Sequence, residues 1–357
     1  MSTGVLPLAV DALDLTVPNE LVHKVAPAEV LLTDVVHLAG DRFVVAARWP
    51  VGHGLYHPAQ HGMSDPMLLV ETLRQTAVYL SHRFYGVPLD HPFIFCDLGY
   101  EVKDPTAFRT RPFGPQVVLD LTLSSTTRPT ASKVGMRLEA TVSVDGRTCG
   151  RGSVSWQAVD RSRYTVIRDR ARGAGRSGAA AAGRDGVTTP GIGAAARLLT
   201  AAEAGRRRDA DVLLADLGTG ARGAWLLHVD QTHPVFFDHP LDHVPGMLLL
   251  EAFRQATGCA AGRATGRTVD ELAMVGGRTA FTAFCELDAP TFLAVAPVAT
   301  AAVAGAATGA GADLERWSFE VAAVQYGRVV ATGEMAWTVP APVESAPGAA
   351  REVVECV

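Results

Sequence analysis

The chain has 357 residues, a formal net charge of -5, 48% apolar residues and 19% charged residues. That is length enough for two domains and apolar content enough for real cores rather than disorder. The charge balance has no basic excess to attract nucleic acid. Five scattered cysteines without a CxxC pair, and an N-terminus with neither a basic start nor a long apolar run, fit a cytoplasmic protein rather than a secreted one.

Residues before about 28 read as an irregular lead-in. EVLLTDVVHLAG from Glu29 and RFVVAARW from Arg42 are β-branched runs split by Gly40-Asp41, the pattern of a hairpin. A loop rich in histidine and proline, beginning at His57, then leads into MLLVETLRQTAVYLSHRFY, which is apolar on nearly every face except at Glu71, Arg74 and Gln75. Ser64-Asp65 followed by Pro66 marks a helix start, and Gly86 with Pro88 a stop. From Phe93 to Val159 four runs read as strands, the last two joined by a tight turn at Asp145-Gly146. Gly, Ala and Arg dominate the following stretch, which reads as a flexible linker over 166–204.

The second half repeats the programme. LLADLG from Leu213 echoes LLTDVV from Leu31, and a second His-Pro loop at His239 leads into GMLLLEAFRQ with Glu251, Arg254 and Gln255. Phe-Cys-Glu-Leu from Phe284 echoes Phe-Cys-Asp-Leu from Phe95, and Gly146-Arg147 and Gly327-Arg328 precede Trp156 and Trp337 by the same interval. Duplication explains this order. The uncharged run 289–312 is interrupted by Pro297, has few large aliphatics, and reads as strand and loop rather than a membrane span. One helix followed by antiparallel strands is an α+β pattern in which a sheet wraps a helix. The halves, 28–165 and 205–340, should pack as a pseudo-dimer, with 341–357 a disordered tail.

Spacings of three and four residues put Glu, Arg and Gln on one side of each helix. An ionised group buried among apolar residues costs several kcal/mol unless it is paired. Each Glu–Arg pair is therefore either a structural ion pair or part of a site. His57 with His61, and His239 with His243, have ligand-like spacing but sit in loops without an evident third ligand, so no metal is expected. Cys96 and Cys285 lie in apolar strand-like runs and read as small buried hydrophobes. The Arg206-Arg207-Arg208 run reads as a solvated face. No nucleotide loop, PLP lysine context or flavin motif is visible, so no organic cofactor is expected.

HPVFFDHPLDHVPGMLLLEAFRQ resembles the signature of the 3-hydroxyacyl-carrier-protein dehydratases, which have the hotdog fold of a central helix wrapped by an antiparallel sheet. Two such halves in one chain, with Arg three residues after each helix Glu, more closely resemble the AfsA family of γ-butyrolactone synthases. The resemblance implies a double hotdog. It also implies an acyltransferase that moves a 3-oxoacyl chain from acyl carrier protein, or CoA, to dihydroxyacetone phosphate in making γ-butyrolactone or butenolide signals. In hotdog dimers the His of one half meets the Glu of the other, so Glu251 is expected near His57 and Glu71 near His239. Such chemistry needs a base, for which Glu71 and Glu251 are candidates, and oxyanion donors, for which the amides at Met67 and at Gly246-Met247 are candidates. Arg74 and Arg254 would clamp phosphate, and Gln75 and Gln255 would support them. The second copy keeps more of the dehydratase-like loop and is favoured. A dehydratase or thioesterase, and a non-catalytic acyl- or lactone-binding regulator, are the alternatives. The Arg beside each carboxylate disfavours the protonated acid that dehydration requires.

Overall fold

A computed structural model describes residues 16–59, 62–128, 130, 132–181, 196–219, 223–298 and 315–340, the side chains of 174–181 excepted. The two apolar segments are helices, α1 over Met67–Tyr85 and α3 over Gly246–Thr265. The Asp65 carboxylate accepts the Met67 amide at 2.9 Å and starts α1. Gly86 and Gly266, with φ of 65° and 69°, end the two helices in the left-handed conformation that glycine adopts without strain.

In the first half the strands are β1 (Leu32–Ala39), β2 (Arg42–Arg48), β3 (Phe93–Val102), β4 (Gln116–Ser125), β5 (Lys133–Val144) and β6 (Arg147–Val159). In the second they are β7 (Arg197–Leu198), β8 (Leu214–Asp216), β9 (Ala224–Leu227), β10 (Ala273–Phe281), β11 (Phe292–Pro297), β12 (Arg316–Gln325) and β13 (Arg328–Thr338). Among the described residues they form one 13-stranded sheet in the order β1-β2-β4-β5-β6-β3-β10-β13-β12-β11-β9-β8-β7. The order of the second half mirrors that of the first. The mirror falls between β3 and β10, which pair antiparallel with Leu98 opposite Thr279 and Tyr100 opposite Gly277. This is a double hotdog, with the halves joined as a pseudo-dimer through one seam.

The repeated tryptophans lock each sheet onto its helix. Trp156 Nε1 donates to Ser81 Oγ on α1 at 2.9 Å, and Trp337 Nε1 donates to Thr257 Oγ1 on α3 at 3.1 Å. The repeated turns have positive φ at both central residues, Asp145 (47°) with Gly146 (78°) and Tyr326 (54°) with Gly327 (70°). That geometry matches the twist of the flanking strands.

Two expectations need correction. Cys96 lies in β3, whereas Phe284-Cys285-Glu286-Leu287 follows β10, so the two cysteines do not occupy corresponding places. Their resemblance is local spelling, since each helix reaches its next strand, Phe93 or Ala273, seven residues after Gly86 or Gly266. The expected linker opens instead inside a helix, α2, over Arg161–Ala181. Its buried Arg168 donates Nε to Asp242 Oδ2 and Nη1 and Nη2 to Glu286, each at 2.8 Å, and its guanidinium stacks 4.4 Å from the Phe284 ring centroid. This buried tether, with Tyr164 Oη donating to Asp242 Oδ1 at 2.9 Å beside it, holds a segment whose average composition is too polar to order itself.

The remainder of the linker includes β7, with 182–195 outside the described residues, as is the tail 341–357. Of the uncharged run, Phe292–Pro297 is strand and 299–314 lies outside the described residues. Among the described residues, no helix is long and apolar enough to cross a membrane.

Candidate active site

One helical turn brings Glu71, Arg74 and Gln75 together. Arg74 clasps the carboxylate through Nε (2.8 Å) and Nη2 (2.7 Å), and Gln75 Nε2 donates to it at 2.8 Å. On α3, Arg254 holds Glu251 through Nε (2.8 Å) and Nη2 (2.7 Å), with Gln255 Nε2 at 2.7 Å. Both carboxylates are buried. The glutamines also fasten each helix to the chain leading into its sheet. Gln75 Oε1 accepts the Leu31 amide and Gln255 Oε1 the Leu213 amide, both at 2.9 Å.

A second cation stands at each carboxylate, and sequence reasoning missed both. Lys24 Nζ lies 3.3 Å from Glu71 Oε1, and Arg206 Nη1 lies 3.6 Å from Glu251 Oε1. Arg206 is not on a solvated face: it is 5% exposed, with Nη1 donating to the Leu55 carbonyl at 3.1 Å and Nη2 to Asp65 Oδ2 at 3.4 Å. A signal existed, because KVAPAEVLL from Lys24 and RRRDADVLL from Arg206 are copies of one segment. Burial alone would raise both carboxyl pKa values. Arg74 and then Lys24 overcome it and hold Glu71 at about 2, and Arg254 and then Arg206 hold Glu251 below the usual carboxylate range.

The loops before the helices obey a register different from the expected one. His53 Nε2 lies 3.2 Å from Glu29 Oε2, and His233 Nε2 lies 3.2 Å from Asp211 Oδ1. The other ring nitrogen of each accepts two loop amides, Leu55 and Tyr56 for His53, Val235 and Phe236 for His233. Residues 53–75 and 233–255 therefore match without a gap, and His57 corresponds to Phe237, not to His239. Aligning the two His-Pro pairs puts the copies out of step by two residues.

His57 is 7% exposed, and its Nε2 is buried without a partner among the described residues. Its Nδ1 sits 3.4 Å from the Pro58 carbonyl, which places the proton on Nδ1 and leaves the Nε2 lone pair free. Burial, then the charges of Arg206 and Arg207, lowers its pKa below 6.5. The His239 side chain is 42% exposed, with Nδ1 2.6 Å from Asp238 Oδ1. Its loop does cross to the first half, where Asp238 Oδ2 accepts the Val25 amide at 3.2 Å, but among the described residues the imidazole has no hydrogen bond or ion pair to Glu71, Arg74 or Gln75. His243 is held by Asp242 at 2.7 Å, and His61 lies outside the described residues.

A cavity of about 50 Å³ opens where the halves meet, walled by His57 and Asp65 of the first half and Arg206 and Arg254 of the second, with Val102, Phe108, Met274 and Trp337. Thus His57 shares a cavity with Arg254 and Arg206, the two cations paired with Glu251, while Glu251 itself lies outside the lining. Tyr56 is buried close enough to both clusters that Glu71 and Glu251, after burial itself, raise its pKa. The Met67 amide is not free for an oxyanion, because Asp65 already accepts it. The amides of Gly246 and Met247 have no acceptor among the described residues. Burial raises the Cys96 thiol, and raises Cys285 to about 11, so neither is an activated nucleophile.

These features define a tandem-hotdog protein with a polar site built across its seam. Residues 9–160 and 187–341 match the A-factor biosynthesis hotdog domain, and the chain belongs to the AfsA family. It is 34% identical over 286 residues to a 2-oxo-3-(phosphooxy)propyl 3-oxoalkanoate synthase of Streptomyces virginiae, covering 80% of this chain and 89% of that one. A protein of the same name from Streptomyces coelicolor is 32% identical over 279 residues, covering 78% and 81% of the two chains. One from Streptomyces griseus is 31% identical over 312 residues, covering 87% and 92%. The relatives carry the name of a synthase, and this chain is an enzyme of their family.

Proposed function

We propose that the chain transfers a 3-oxoacyl group from a thioester of acyl carrier protein or CoA to the free hydroxyl of dihydroxyacetone phosphate. The product would be the 2-oxo-3-(phosphooxy)propyl 3-oxoalkanoate for which its relatives are named, a precursor of γ-butyrolactone or butenolide signals. The observation that carries the reading is His57: a buried imidazole with its Nε2 lone pair free, beside a cavity that also holds two guanidiniums.

His57 Nε2 removes the hydroxyl proton as the oxygen attacks the thioester carbon. A C–O bond forms, the C–S bond breaks, and the proton passes from His57 to the departing sulfur. With a pKa below 6.5 the imidazole is neutral at pH 7 and ready to accept. Glu251 is the weaker base, because the charges that hold it ionised also suppress its proton affinity. Its role is to orient Arg254, whose Nε and Nη2 it occupies, leaving Nη1 for substrate. Arg254 and Arg206 supply the positive charge for the phosphate and for the oxyanion, in place of the occupied Met67 amide. Glu71, Arg74 and Gln75 act as the structural counterpart, and Gly246 and Met247 take no part. The free cysteines are at home in a cytoplasmic enzyme.

Mass spectrometry of purified protein with a 3-oxoacyl thioester, with and without dihydroxyacetone phosphate, tests this. Expected is the phosphorylated ester, released with one thiol per ester and only when the alcohol is present. Free 3-oxo acid regardless of the alcohol would make it a thioesterase, and unchanged thioester in both reactions would leave a binding protein.

A further inference from the structure

The inner face of the β3–β10 seam carries two hydroxyls that the chemistry above does not use. Tyr100 is 7% exposed and Thr279 3%, and neither Tyr100 Oη nor Thr279 Oγ1 has a hydrogen-bond partner among the described residues. Buried threonines on the helices behave otherwise: Thr72 donates to the Leu68 carbonyl and accepts from Trp49, and Thr257 donates to the Phe253 carbonyl. A buried hydroxyl without a partner is costly, and two in one row call for a ligand.

Position says which ligand. Leu98, Tyr100 and Val102 share the inner face of β3, and Val102 walls the cavity beside His57 and Arg254. Tyr100 is the next residue inward along that row, and Thr279, opposite Leu98, comes after it. A step of two residues along a strand is about 6.6 Å, the reach of an oxygen near the thioester end of an acyl chain plus one hydrogen bond.

The ring has room because its neighbour across the seam is Gly277, where a Cβ would lie 3.0 Å from Tyr100 Cε1 and 2.9 Å from Met335 Sδ. Burial, then the charge of Asp65, pushes the phenol well above its ordinary pKa, so it stays a donor. Its counterpart in the second half is Thr279 itself, which lies opposite Gly333 of β13 as Tyr100 lies opposite Gly152 of β6, so the second half offers only a shorter hydroxyl at this place.

We propose that Tyr100 is a specificity-determining residue whose hydroxyl donates to the oxygen at C3 of the acyl chain, with Thr279 the next polar contact beyond it. The assignment rests on the Glu251 end being the acyl site. A 3-oxo chain satisfies the phenol, whereas a saturated chain leaves it unpaired, and a site built around such a donor rejects the analogue that lacks the acceptor.

The test is equilibrium binding of 3-oxooctanoyl-CoA and octanoyl-CoA analogues in which a methylene replaces the thioester sulfur, so that neither can transfer. Calorimetry on the full chain should give the wild-type protein a preference for the 3-oxo chain on the order of ten- to a hundredfold. Tyr100→Phe, which keeps the ring and the fold, should erase most of that preference by weakening the 3-oxo analogue alone. Thr279→Val should remove less. Equal binding of both chains by the wild type, binding of neither, or an intact preference in Tyr100→Phe overturns the assignment. Ester formation is measured separately with native thioesters. Its absence alongside an intact binding preference would sink the transfer reading and leave Tyr100 in its role.

Discussion

The two helix clusters are nearly superposable in their own chemistry and unlike in what the opposite half brings to them. Arg74 and Arg254 clasp their glutamates with the same two nitrogens at the same distances, 2.8 and 2.7 Å, and each carboxylate has a further cation and a glutamine. Facing Glu251, the first half supplies His57, Asp65 and Tyr100, whereas the corresponding residues of the second half are Phe237, Pro245 and Thr279. Removing one member of a buried ion pair strands the other at high cost, so the clamp has a structural reason to persist in both copies. Groups that touch only substrate have no such constraint. What the copies share is thus architecture, and what they do not share is the better guide to chemistry.

The sharpest way to break this comparison is a pair of alanine substitutions at matched positions. His57→Ala should lower turnover by about a hundred- to ten-thousandfold, the usual worth of a positioned base, while Phe237→Ala costs packing but leaves turnover per folded molecule within a few fold. Comparable losses in the two variants would mean that the sites are equivalent. The wild-type pH profile should carry an acid limb centred below pH 6.5, since burial and then Arg206 and Arg207 depress His57, and it should be flat above. A base at Glu251 would keep the rate level far further into acid.

Next in size are the clamps themselves. Glu71→Gln and Glu251→Gln should each destabilise the protein by about 3–5 kcal/mol in urea unfolding, because each leaves a buried guanidinium uncompensated. Only the second should also abolish turnover in the fraction that remains folded. Arg168→Met, at the tether from α2 onto the second half, should cost about 2–3 kcal/mol in the same measurement. It falls short of the clamps because Glu286 keeps Arg172, 3.8 Å away, as a partial partner.

The sequence was most readable where burial conflicts with charge. Glu, Arg and Gln inside an apolar helix stand out in one dimension, and so did the duplicated turn before each tryptophan. The loop register was equally available through His53 and His233, but the His-Pro pairs were the more conspicuous match. Arg206 was hidden by its neighbours: three successive arginines look solvated, although Arg208 turns back to Asp211 while Arg206 goes inward. Arg168 was hidden by averaging, because one tether does not change the composition of a Gly/Ala/Arg segment. Tyr100 could be read as inward from strand alternation, but not as unpaired. That depends on Gly277, a distant residue that only the fold places opposite it.

The smallest effect separates the halves at a position remote from the cavity. His23 and Gly205 both adopt left-handed backbone, with φ of 52° and 63°, just before the second cations Lys24 and Arg206. In the first half the imidazole is put to use: His82 Nε2 lies 2.9 Å from His23 Nε2, while His82 Nδ1 lies 2.7 Å from the Val87 carbonyl. His82 therefore carries its proton on Nδ1 and accepts from His23, an arrangement that survives only while His82 is neutral. Burial, followed by His82 and Arg74, lowers His23 to about 4, against 6.5 for the free group, and His239 acts in the same direction. A folded-state pKa below the unfolded one means that the unfolded chain binds the proton better. This contribution is complete above pH 6.5, is lost as the pH falls towards 4, and changes no further below that. Its size should be on the order of 1–2 kcal/mol once partial exposure is allowed for. His23→Gly copies the second half, relieves the left-handed backbone and removes the titrating ring, so urea midpoints should match wild type at pH 8 and exceed it at pH 4.5. An unchanged acid slope in that variant would assign the loss to other groups and erase this difference between the halves.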